Sequence, residues 1–252
     1  MDKQTIKDLK IPFLGITILL LILCIGTCIF INQSMEVPNS FQIWWNGVEL
    51  WDVFILLFYS LPFTWVFYTE KKDNFYSYVA IRTDIQKYIK RKIITVLFLI
   101  FISNYLFNLI SSFIVITMIN PKVSLNSFSV ETKIFGQMQL NHPYLFMSIY
   151  GLWKSFVITF MSISGIIIAL YSRNLFLIAF GPFVIHAAIA YVFGNIRIPK
   201  LDITYTYSWN HLIRGPYDFL FMLFSLIIYG VIMVFLKRFM KRREKENELF
   251  SY

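Results

Sequence analysis

Long uncharged apolar runs alternate with short charged stretches along this chain. Six of the runs, residues 11–31, 51–68, 93–119, 155–172, 175–193 and 219–236, are close to or beyond the roughly 20 residues that carry a helix across a bilayer. They predict an all-α polytopic fold with six transmembrane helices in a single domain, residues 1–252. Pro12 fits the first turn of the first span, where a helix has no use for the missing N–H. Pro62 predicts a kink or a locally freed carbonyl in the second span, and Gly181-Pro182 an interruption of the fifth. The third run holds 27 residues without a charge, more than a bilayer needs, and so tilts or projects. Lys154 decides where the fourth begins. A charge at mid-bilayer costs about 2.5–3.5 kcal/mol on insertion scales. The layout that avoids this lays residues 144–153 along the outer interface, lets Lys154 snorkel into the headgroups and starts the span at Ser155.

The connections differ in character. Residues 1–10, with Ile6 and Leu9 three apart, suit the inner membrane surface. Residues 32–50 hold Glu36 and Glu49 but no Lys or Arg, and Trp44 and Trp45 there read as an aromatic belt on an outer loop. After Asn120-Pro121 comes a polar, aperiodic loop with Lys122, Glu131 and Lys133. Residues 194–217, rich in Tyr and Trp, fit either a short hairpin or a re-entrant element.

Residues 70–92, EKKDNFYSYVAIRTDIQKYIKRK, are the long charged segment between two apolar runs, with seven basic residues. Tyr78, Ile81, Ile85, Tyr88 and Ile89 recur with a helical period, which predicts an amphipathic helix between spans two and three. That face would lie on membrane or span ends, leaving Asn74, Phe75, Arg82 and Asp84 for a partner.

Composition and charge fix the class and the orientation. Hydrophobic residues make up 58% of the chain and charged residues 15%, too little polar material to wet the surface of a soluble fold of this size. The formal charge of +9 belongs to residues flanking apolar spans, so it sets topology and does not imply nucleic-acid binding. Seventeen Lys and Arg fall on one side of the six-span layout and six on the other, which puts both termini in the cytoplasm.

Reactive chemistry is sparse. His186 is the one ionisable group near the centre of a span as drawn, with Asp52 and Asp218 at outer ends; a neutral histidine bonded to a neighbouring backbone or hydroxyl group is favoured over a relay. Cys24 and Cys28, four apart in the first span, read as small packing residues. Ser162, Ser164 and Gly165 form a small-residue patch for close helix packing. His142 and His211 lie in outer loops without metal-ligand spacing. No phosphate-binding GxxxxGK[ST], HExxH or GxSxG motif is present, so no enzyme, catalytic residue, metal or cofactor is expected.

A short interfacial segment precedes the first span, and a loop with Glu70, Arg82, Tyr88 and Lys92 follows the second. The stretch HPYLFMSIYGLWKSFVITFMSISGIIIALYSRNLFLIAFGPF combines a Pro-Tyr start, a small-residue patch, a turn at Ser172 and Asn174, and Pro182-Phe183; an outer region then precedes the last span. In these features the chain resembles the membrane subunit of bacterial ABC exporters, the six-helix type-2 permease family. The resemblance implies a permease that moves a hydrophobic or amphipathic substrate, such as a peptide, bacteriocin or drug, out across the plasma membrane. It also implies cytoplasmic ABC ATPase subunits as the energy source, docked on a coupling helix in the 70–92 loop, and a second permease copy in a homodimer or heterodimer. Two other readings compete: the basic helix simply rests on the lipids of the inner leaflet, or the aromatic outer segments, residues 41–51 and 205–209, serve a non-transporting peptide-immunity or sensor protein.

Overall fold

A computed structural model of the chain describes residues 3–35, 37, 40–82, 84–119, 135–172, 174–196, 201–206 and 218–249. The loop with Lys122, Glu131 and Lys133, Arg173, His211 and most of residues 194–217 lie outside the described residues.

Nine α-helices follow in chain order among the described residues: α1 (Lys3–Ser34), α2 (Ser40–Lys72), α3 (Phe75–Arg82), α4 (Ile85–Met118), α5 (Gly136–Asn141), α6 (Pro143–Met161), α7 (Ile163–Tyr171), α8 (Leu175–Asn195) and α9 (Asp218–Leu249). A 3-10 turn at Ile203–Thr206 precedes α9. Five stretches are long and apolar enough to cross a membrane, with α6 and α7 together forming one, and α2 adds a further stretch bent by 53° between Ser40–Asp52 and Phe54–Lys72. The chain is thus a multi-pass membrane protein built from helices.

Two groups of helices share α2. On one side α1, α2, α4 and α6 pack together; on the other, α2 meets α7 and α8, and α7 meets α8 and α9. Small residues permit the closest approaches. A Cβ on Gly47 would run into Cys28 Sγ, and one on Gly181 would lie 2.7 Å from Ile168 Cδ1. A Cβ on Gly165 would lie 3.0 Å from Pro182 Cγ and 3.2 Å from Phe63 Cζ, less tight but still close, so the patch around it does serve helix packing. Cys24 and Cys28 are buried and carry no disulfide.

Four expectations change. First, residues 1–10 do not form a separate surface segment: α1 is continuous from Lys3, and Leu9 is buried in the bundle. Second, residues 32–50 are not an outer loop. Most of them belong to α2, where Trp44 and Trp45 are buried against Tyr150 and Phe146. An aromatic pair next to a Gly and two aliphatic residues packs as well in a helix core as at an interface, and the absence of Lys and Arg reflected burial. Third, α2 bends at Asp52 to Phe54, not at Pro62. Fourth, the fourth span starts at Pro143, which occupies the first turn of α6, so Lys154 lies inside the bundle, not among headgroups. The cost that argued against this layout is offset by a partner the linear reading had placed at an outer end.

Candidate functional site

At one end of the bundle, α2, α3 and α4 meet beside a cluster built on Glu70. Asn74 ends α2 with φ 53°, a left-handed conformation that Asn tolerates better than most residues, and α3 starts directly after it. Arg82 ends α3, and Asp84, in an extended conformation, starts α4 by accepting a hydrogen bond from Gln86 N at 2.9 Å. The predicted amphipathic helix is therefore two helices. The extended backbone at Asp84 resets the helical phase, so Tyr78 and Ile81 do not share a face with Tyr88.

Tyr88 turns inward. Its hydroxyl donates to Glu70 Oε1 at 3.1 Å, and Lys92 Nζ pairs with the same oxygen. Lys92 is almost wholly buried, with its ammonium 4.9 Å from the Phe67 ring centroid and 5.8 Å from that of Tyr88. The Tyr76 ring lies 6.5 Å from that of Tyr88, and burial together with the Glu70 carboxylate pushes its phenol upward, keeping it neutral at ordinary pH. Glu70 thus ties the end of α2 to the first turns of α4, with α3 beside them.

The outer surface of α3 is apolar. Ile81 is 84% exposed, Tyr78 67% and Phe75 42%, and Arg82 is exposed beside them. Of the four residues expected to meet a partner, Asn74, Phe75 and Arg82 are exposed around α3, although the Phe75 ring also leans on Tyr88 at 6.2 Å. Asp84 is exposed too, but its carboxylate is engaged as the cap of α4.

A second polar centre lies in the bundle interior. Lys154 Nζ sits between both carboxylate oxygens of Asp52, at 2.7 and 2.8 Å, with Lys154 fully buried. Lys154 is about 16 Å from the start of α6 and Asp52 about 18 Å from the start of α2, reckoned at 1.5 Å per residue. Both therefore lie at similar distances from the starts of their helices, inside stretches long and apolar enough to cross a membrane. Close by in sequence, Ser155 Oγ donates to Asn104 Oδ1 at 3.1 Å, Asn108 Nδ2 donates to the same oxygen at 2.7 Å, and Trp44 Nε1 donates to Ser111 Oγ at 3.0 Å. This seam joins α2, α4 and α6. Sequence reasoning missed it because it treated Lys154 alone. The usable signal was His142-Pro143, a helix start that puts Lys154 and Asp52 at similar depth on different helices.

His186 is buried in α8, and its Nδ1 has no hydrogen-bond partner among the described residues, so the expected bond to backbone or hydroxyl is not made through that nitrogen. Between α8 and α9, the described residues 201–206 pack into the bundle. Ile203 and Thr206 are buried, and the Thr206 carbonyl accepts from Trp153 Nε1 at 2.6 Å. Most of the rest of the region between α8 and α9 lies outside the described residues, so neither the hairpin nor the re-entrant conformation is assigned.

Comparison with protein-family models, with curated proteins and with solved structures found no match.

Proposed function

We propose that the chain is the membrane-spanning permease subunit of an ATP-driven ABC exporter in a bacterial plasma membrane, with six spans, both termini inside and α3 as its coupling helix. The observation that carries this reading is α3 and its seat: a short helix with its apolar side turned outward, its Phe75 and Tyr76 rings set against Tyr88, beside the Glu70–Tyr88–Lys92 cluster that joins two long helices. A partner pushing on Ile81 and Arg82 moves α2 and α4 together, which is what transmission from a cytoplasmic motor requires. The sixth span is α2, crossing as one bent helix. With Lys154 counted inside the bundle, Lys and Arg divide 17 to five between the side that carries α3 and the other, which supports the orientation.

The resemblance supplies the rest of the reading. Two permeases form the pathway, two ATPase subunits drive it, and the cargo is a hydrophobic or amphipathic molecule. The reading as a peptide sensor loses one of its supports, since Trp44 and Trp45 are buried and offer nothing to an outside ligand. Purification of the tagged full chain in mild detergent from the cells that encode it is expected to bring down a cytoplasmic ATPase in stoichiometric amount. Recovery of the chain with no nucleotide-hydrolysing subunit would overturn the proposal.

A further inference from the structure

A cleft of about 210 Å³ opens beside the inner end of α2. Among the described residues it is lined by Tyr68, Lys71 and Lys72 of α2, Asn74 of the following turn, and Ser172 just beyond α7. Lys71 Nζ donates to the Leu170 carbonyl at 3.0 Å, which fastens α2 to the end of α7 and fixes one ammonium in the cleft wall. Ser172 Oγ accepts from Asn174 N at 3.1 Å, leaving its own O–H to donate. Lys72 and Asn74 are exposed at the mouth.

The lining therefore offers two ammonium groups, an amide, a phenol and a hydroxyl, with no carboxylate among the described residues that form it. Such a site repels cations and presents converging donors to an oxyanion. Its volume is below the roughly 300–1,000 Å³ of pockets for drug-sized molecules. It is also far above the roughly 10–15 Å³ that one water needs, a size suited to a single phosphate group with its hydration. Tyr68 marks the level where α2 leaves the apolar region, so the cleft opens at the membrane surface, on the side rich in Lys and Arg.

We infer that this cleft binds a negatively charged phosphate group at the inner membrane surface, delivered either by the headgroup of an anionic phospholipid or by a free phosphate. Bound there, the anion bridges α2 and the end of α7 next to the Glu70 cluster, whether or not an ATPase docks on α3.

The test is native mass spectrometry of the lipid-stripped full chain in detergent, titrated separately with phosphatidylglycerol, phosphatidylcholine and inorganic phosphate. Wild-type protein is expected to retain phosphatidylglycerol in preference to phosphatidylcholine. Lys72→Gln should weaken that binding about fivefold, and Lys72→Gln with Asn74→Asp about 25-fold, following about 1 kcal/mol per charge near an anionic surface. Asp tolerates the left-handed conformation as Asn does, so the turn is kept. Lys90→Gln, an exposed charge on the same side, should leave binding unchanged. Variant-sensitive binding of inorganic phosphate without phosphatidylglycerol assigns the site to a free phosphate. Equal binding of both lipids, or binding of either anion that survives both changes at Lys72 and Asn74, overturns the inference.

Discussion

Lys154→Met is expected to lower the melting temperature of the purified protein by on the order of 10 °C, and adding Asp52→Leu is expected to restore most of the loss. Lys154 is fully buried and its ammonium lies within 2.8 Å of both Asp52 oxygens. Removing one partner of a buried pair leaves the other charge uncompensated, at a cost of about 3–5 kcal/mol. For a chain of this size each kcal/mol corresponds to about 2–4 °C. Replacing both partners by apolar residues of similar size removes two desolvated charges together and is often close to neutral. Thermal unfolding of the wild type, both single variants and the double variant measures the coupling directly. A loss in the double variant equal to the sum of the two single losses would mean that the two groups do not act as a pair. The ion pair sits where α2 bends and joins it to α6. The double variant therefore also shows whether the pair sets a conformational equilibrium: a stable protein without function would assign it that role.

The second large effect concerns transmission. In the reconstituted complex, Lys92→Met is expected to leave the ATPase bound while reducing the dependence of its hydrolysis rate on the permease by about 5- to 150-fold, the span of typical coupling free energies. Lys92 contributes nothing to the outer surface of α3, being 1% exposed. Its ammonium joins Glu70 at the end of α2 to the first turns of α4. Without it, α3 still presents Phe75, Tyr78, Ile81 and Arg82, but the lever behind them is loose. Parallel pull-down and ATPase assays separate the two properties. Loss of both together would make the cluster part of the docking surface itself, and loss of neither would remove its role in transmission.

Much of the architecture was legible from the chain alone. Helices long enough to cross a membrane overlap every predicted span except that α2 is bent, and the charged 70–92 stretch does separate two long helices. What could not be read was pairing across the bundle. Taken singly, Asp52 falls at an outer end and Lys154 is too costly to bury, whereas burial of a charge is decided by its partner. Trp44 and Trp45 were misplaced for a related reason: an uncharged aromatic segment looks the same whether it lines an interface or a core. The 70–92 period failed at one residue, Asp84, whose cap breaks the helix and turns Tyr88 inward while Ile81 points out. Among the residues expected to meet a partner, Arg82 remains the cleanest to change, since altering Asp84 would also cost α4 a cap of about 1 kcal/mol.

The account stands or falls on α3 as the docking surface for a cytoplasmic motor. Affinity of the ATPase subunit for the detergent-purified chain, compared between wild type and Ile81→Asp/Arg82→Glu, tests it most directly. Loss of an apolar anchor and reversal of its neighbouring charge should weaken binding by about 30-fold or more, the effect of one hot spot at an interface. Lys90→Glu, an exposed change of the same sign on the adjoining helix, should weaken it far less. An affinity unchanged by the α3 double variant would contradict the docking role and return α3 to the surface of the lipid.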